Sequence, residues 1–255
     1  MDTRAFGLPQ RRRRVLLLAS REEDPCEVLF TEDAGDPGPS TAPDAACGFY
    51  WTEGLRGLGW ARDALPPLKG GSGVGIPSPP AIWLPDGTIA VPDVRDAERL
   101  QGFEADWTAP AHGPVGGSRG SRWRLVGNAV SVPVAKWIGD RLKERRPSVG
   151  AHERVLRPSD RWPDAARGDA DGVRAVEVSA WPRNEPPIPL ADLLAFPSEH
   201  LSERAAEGFL KRARAGNLRF PEGFLADVEA HCAAMRGAGV ARMREPGQRA
   251  LAAAA

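Results

Sequence analysis

The chain is poor in the residues that staple or metallate small proteins: 255 residues include three cysteines (Cys26, Cys47 and Cys232) and four histidines. No CxxC or HxxxH spacing occurs, so neither a disulfide framework nor a zinc site is supported. Net charge is also missing, because Lys+Arg and Asp+Glu are both 34; total charge therefore says nothing about a nucleic-acid partner. No apolar run approaches the roughly 18 residues of a membrane span. The longest short run, Val15 to Ala19, is too brief even for a signal-peptide core. The expected address is the cytoplasm.

What is present is enough apolar material for a real core, 42% of residues, in one large or two modest domains. The charge is unevenly spread. Residues 1–21 hold six arginines against Asp2, and Gly116 to Arg146 hold eight basic residues against Asp140 and Glu144. Such segments suit a phosphate-facing surface and equally a solvated face.

Local pattern predicts the elements. Val15 to Ala19 reads as a buried strand. Residues from about Asp33 to Pro92 are dense in Gly, Pro and Trp, with short strands at Ala81 to Leu84 and Thr88 to Val91. Asp93 caps a short helix running to Gln101. Gly127-Asn128 opens a helix with Val130, Val134, Trp137, Ile138, Arg141 and Leu142 at helical spacing, Asn128 being the N-cap. Residues 147–180, polar and rich in Asp and Arg, read as a linker. A helical unit follows, with Leu201, Ala205 and Phe209 on one helix and Phe224, Val228, Cys232 and Met235 on another. Leu251 to Ala255 reads as a frayed tail.

Three segments carry chemistry. Pro9-Gln10-Arg11-Arg12-Arg13-Arg14-Val15 resembles motif VIII of the DNA cytosine-5 methyltransferases. Arg99-Leu100-Gln101-Gly102-Phe103 is similar to their motif IX, with Glu104 where proline is usual. Gly127-Asn128-Ala129-Val130 resembles motif X. The three occur in family order and cover most of residues 5–143. The resemblance implies an α/β fold: the C-terminal portion of a Rossmann-like methyltransferase domain, a small loop-rich target-recognition domain and a C-terminal helical extension. The boundaries it implies are 1–24 for the end of the catalytic domain, 25–110 for recognition with motif IX, and 111–146 for the return through motif X. A linker at 147–180 and the extension at 181–245 complete the division.

The same resemblance implies roles. Gln10, Arg12 and Arg14 match the family's catalytic positions, with Arg14 reaching the flipped cytosine and Arg12 supporting the site, since attack on ring carbon 6 pushes negative charge onto the base, where a fixed guanidinium stabilises it. Asn128, Ala129 and Val130 would line the S-adenosylmethionine pocket, helix-start amides being suited to an anionic group. Arg99, Gln101, Gly102 and Phe103 would be structural. In the recognition region Arg56, Arg62 and Lys69 would grip double-stranded DNA. Phe49, Tyr50, Trp51 and Trp60 would either read bases or form a small core. Pro67-Leu68 stands where the family has Thr-Leu.

The family's cofactor loop, Pro-Cys-Gln nucleophile and Glu-Asn-Val segment precede motif VIII, and only about eight residues do so here. Pro25-Cys26-Glu27 follows motif VIII and is a decoy, as is the glycine run at 70–75, where Ile76 breaks GxGxxG. The expectation is therefore a restriction-modification methyltransferase subunit or fragment, inactive without an N-terminal half that brings the nucleophile. The alternatives are a non-catalytic DNA-binding remnant and, last, an interaction protein built on the helical unit.

Overall fold

The computed structural model describes residues 1–70, 79–112, 119–149 and 152–237. Most of the glycine run and the Ala-rich tail lie outside them. In chain order the elements are α1 (Cys26–Leu29), β1 (Cys47–Phe49), β2 (Trp60–Arg62), β3 (Ala81–Trp83), β4 (Ile89–Val91), α2 (Val94–Leu100), α3 (Arg119–Asn128), α4 (Val132–Lys143), β5 (Glu153–Val155), β6 (Ala166–Asp169), β7 (Gly172–Val176), α5 (Leu190–Leu193), β8 (Glu199–His200), α6 (Glu203–Ala215) and α7 (Phe224–Gly237). They are distributed over two compact units. One takes Met1–Leu8, Arg12–Gly38 and Val130–Pro187; the other takes Pro9–Arg11, Pro39–Ala129 and the described residues from Ile188 onward.

The larger unit is a five-stranded sheet in the order β2-β1-β3-β4-β8, antiparallel at every pairing. Alternation of side chains across the pleat gives it two apolar faces. Phe49, Ala81 and Ile89 face Phe209, Leu210, Phe224 and Val228 of α6 and α7. Ile82 faces the other way, into a cluster with Leu65, Leu68, Leu100, Trp123, Val126 and Leu190. Phe49 and Tyr50 are fully buried, and Trp60 stacks edge-on to Phe224 at 5.1 Å, so these aromatics build a core. The pair α6 and α7, expected as a separate extension, is one layer of this unit.

The smaller unit packs Ala5, Phe6, Val134, Trp137 and Trp181 together, with α1 against α4. Glu32 ties it, accepting from Trp137 Nε1 at 3.2 Å and from Arg183 Nε at 3.0 Å. Residues 26–38 thus belong with α4 and not with the recognition region.

Three expectations are corrected. Val15 to Ala19 is not a strand: Val15 and Leu17 are 93% and 94% exposed, since a strand exists only with a ladder partner and none is offered among the described residues. Residues 147–180 are not a linker throughout, because β5-β7-β6 form an antiparallel sheet stitched by Arg167 and Arg174 to Asp169. The motif X helix does not start at Asn128. There α3 ends, and α4 starts after Ser131, whose hydroxyl meets Thr3 Oγ1 at 3.2 Å instead of capping its own helix.

Candidate functional site

Motif IX folds as a capped helix, for readable reasons. The Asp93 carboxylate accepts from Arg95 N at the start of α2. At the end, Gly102 takes φ 85°, and its N–H reaches Arg99 O while Phe103 N reaches Glu98 O. This is the six-residue glycine-ended cap that needs left-handed backbone, so glycine at 102 is a geometric requirement. Arg99 pairs with Asp96 at 3.1 Å and also donates to Leu193 O. Asp96 in turn accepts Ala195 N and Phe196 N, and burial pushes its carboxyl above the usual value.

The segments that resemble motifs VIII and IX meet through two buried amides, which lead on to Val126, the residue before the motif X-like segment. Gln10 and Gln101 are both 0% exposed. Leu68 N donates to Gln10 Oε1 at 3.1 Å, and Gln10 Nε2 donates to Leu100 O at 2.8 Å and Gln101 Oε1 at 3.3 Å. Gln101 Nε2 then donates to Val126 O at 2.9 Å. Full burial keeps the Gln10 amide away from solvent. Gly127 follows, so close to the chain that a Cβ there would lie 2.2 Å from the carbonyl carbon of Lys69. Motif X is therefore a helix end and a tight passage, with the Ala129 amide bonded to Leu125 O at 3.0 Å and Val126 O at 3.3 Å.

Beside this chain lies a cavity of about 330 Å³ lined by Phe103, Trp107, Thr108, Leu125, Val126 and Ala129 among others. Phe103 and Trp107 stack at 5.5 Å, and Trp107 is 62% exposed. Its wall is braced by Glu98, a fully buried carboxylate that accepts Thr108 N at 3.0 Å and Arg122 Nη2 at 2.9 Å. Arg122 also reaches Asp106 at 3.0 Å. The Glu98–Arg122 pair escaped sequence reasoning, since nothing in the spacing of two surface-type residues foretells a buried ion pair.

The remaining motif residues divide between the units. In the smaller one, the Arg12 side chain is buried, and its carbonyl accepts from Thr3 N at 3.1 Å and Thr3 Oγ1 at 3.2 Å. Arg14 is exposed, with its backbone clamped on both sides to Met1, and Val130 is 59% exposed. In the larger unit Asn128 and Arg56 are exposed. Arg62 is tethered to the carbonyls of Ala42 and Pro43, and Lys69 to Glu53 at 2.7 Å with its ammonium over the Tyr50 ring.

No cysteine here is primed as a nucleophile. Burial, then the Asp24 hydrogen bond and charge, pushes the Cys26 thiol up to about 12. Burial raises Cys47 and Cys232 as well. Among the described residues no helix is long and apolar enough to cross a membrane.

No protein-family profile and no solved structure matches the chain. The Type II methyltransferase M2.BsuMI of Bacillus subtilis (strain 168) is 47% identical to it over 237 residues, which make up 90% of the chain and 61% of the relative. The chain is thus a homologue of a Type II methyltransferase, spanning 61% of that relative's length.

Proposed function

We propose that this chain supplies DNA recognition, contacts to the target cytosine and part of the S-adenosylmethionine pocket of a cytoplasmic DNA (cytosine-5) methyltransferase in a restriction-modification system. It works with a catalytic portion that brings the Pro-Cys-Gln nucleophile, within a Rossmann-like domain to which residues 1–24 and the motif X region contribute. The observation that carries this reading is the joining of the motif VIII and IX segments, through Gln10 and Gln101, to Val126 at the entry of the motif X segment, on top of the relationship to a Type II methyltransferase.

Arg14 is a motif VIII cation offered to solvent. Arg13 pairs with Asp2 and Asp36 and Arg11 donates to Trp60 O, whereas among the described residues the exposed Arg14 guanidinium is bonded to Arg13 O. It would sit against the flipped base and stabilise charge that grows as the nucleophile adds. Arg56, Arg62 and Lys69 would hold phosphates. S-adenosylmethionine supplies the methyl group, and the residues present fit part of it: Ala129 walls an apolar cavity and Asn128 offers an exposed amide. The lining residues named above carry no charge, so the ligand's charged ends would be held elsewhere.

The test is labelled-methyl transfer to mixed-sequence double-stranded DNA, by the chain alone and with the portion of the Bacillus subtilis methyltransferase that it does not match. We expect no transfer alone and 5-methylcytosine with the complement. Transfer by the pure chain, or methylation at an exocyclic amine, overturns the proposal. DNA binding without transfer in the complemented mixture would favour a non-catalytic DNA-binding remnant instead.

A further inference from the structure

The two buried glutamines can be oriented in only one way. The Val126 carbonyl is purely an acceptor, so Gln101 must turn its NH2 toward it and its oxygen toward Gln10. Gln10 must then present its NH2 to Gln101 and Leu100 O, which leaves its oxygen for the Leu68 N–H. Flipping either amide sets oxygen against oxygen or N–H against N–H in a dry interior, which costs more than losing one bond. The chain is directional and ends on Val126 O, an oxygen that shares the Ala129 amide, at 3.3 Å, with Leu125 O at 3.0 Å. Gly127 reinforces it sterically, lying against the backbone of Lys69 and Gly70, next to the residue where the chain begins.

We propose that the Gln10–Gln101 amide chain couples the motif VIII segment and the recognition segment at Leu68 to the Ala129 turn, making Gln101 a positioning residue for the cofactor side of the site. This rests on the methyltransferase reading for its function, not for its geometry. Gln101→Met keeps length and removes the donor, Gln101→Glu sets an acceptor against an acceptor, and Gln10→Met breaks the chain at its hydrogen bonds to Leu68, Leu100 and Gln101.

Hydrogen exchange on the full chain is the first readout. Both Met variants should loosen the turn that Val126 O anchors and so speed exchange of the Ala129 amide about 10-fold, the net worth of one buried bond to that turn, with α6 and α7 unchanged. The double variant should lose little more than either single one. An unchanged Ala129 amide in Gln10→Met, or fully additive losses, overturns the coupling. If the Met variants unfold, Gln10→Asn, which shortens the side chain by one methylene, is read in the same way. The second readout is kinetic, with the complemented protein. Gln101→Met should raise KM for S-adenosylmethionine about 10-fold and move kcat less than about threefold, and Gln101→Glu should be worse. A fall in kcat at constant KM overturns the positioning role. If the wild-type mixture transfers no methyl group, the methyltransferase reading fails, and the exchange experiment still decides the coupling.

Discussion

Phe209→Ala tests whether the C-terminal helices are an integral layer of the five-stranded sheet unit. The Phe209 ring is fully buried, with centroids 5.2 Å from Phe49 on β1, 5.9 Å from Phe224 on α7 and 6.3 Å from Phe220. Removing a buried Phe side chain costs about 3–5 kcal/mol, the loss of transfer energy plus the cavity left behind. The rings' edge-to-face preference places this site toward the upper part of that range. A domain holds only about 5–15 kcal/mol in total, so the variant should be close to unfolding. Urea titration followed by tryptophan emission, with Trp60 and Trp83 both beside Phe224, should show the midpoint falling steeply. Hydrogen exchange should show β1 and β3 losing protection together with α6 and α7. If only the helices loosen while the sheet keeps its protection, the pair is an appendage and the layered reading is wrong.

Four further outcomes are expected. Iodoacetamide should label Cys26 far more slowly than a free thiol, given a pKa of about 12, and Cys26→Ser should leave complemented activity within about twofold, the nucleophile lying elsewhere. Arg14→Ala should lower kcat about 100-fold with DNA affinity nearly unchanged, and lysine should rescue poorly; equal losses would make Arg14 a phosphate contact. Gly127→Ala should destabilise by about 1–3 kcal/mol, because backbone at 2.2 to 2.4 Å cannot swing aside like a side-chain tip. His200 is depressed below its usual value by burial and then by His231. The folded protein therefore binds this proton less readily than the unfolded chain, so the stability is present above about pH 6.5 and drains as pH falls. His200→Gln should flatten that slope in denaturant titrations between about pH 5 and 7.

Legibility in the sequence followed locality. The Asp93 cap, the motif IX helix and the strands near Ala81 and Ile89 were readable because capping and alternation are decided within a few residues. Val15 to Ala19 looked equally clear, yet strand character depends on a partner that the described residues do not provide. The Asp- and Arg-rich stretch hid β5 to β7 because its strands bury little and are held by ion pairs, leaving no apolar period of two. Gly127-Asn128 was read as a helix start because glycine and asparagine suit either end. Only the approach of Lys69, far away in sequence, makes it an end. The amide chain from Gln10 to Val126 was not legible, because it joins residues 90 and 25 positions apart.

The pairing of β4 with β8, Ala90 opposite His200 and Val91 opposite Glu199, has a consequence for biosynthesis. A ribosome adding about 5–20 residues per second reaches β8 roughly 5–20 s after β4 has emerged. Throughout that interval the outer edge of β4 is unpaired, and Phe49, Ala81 and Ile89 have neither α6 nor α7 over them. The nascent five-stranded sheet is therefore a sticky half-product. Its yield in the cell should depend on translation speed and on chaperones that hold extended apolar chain.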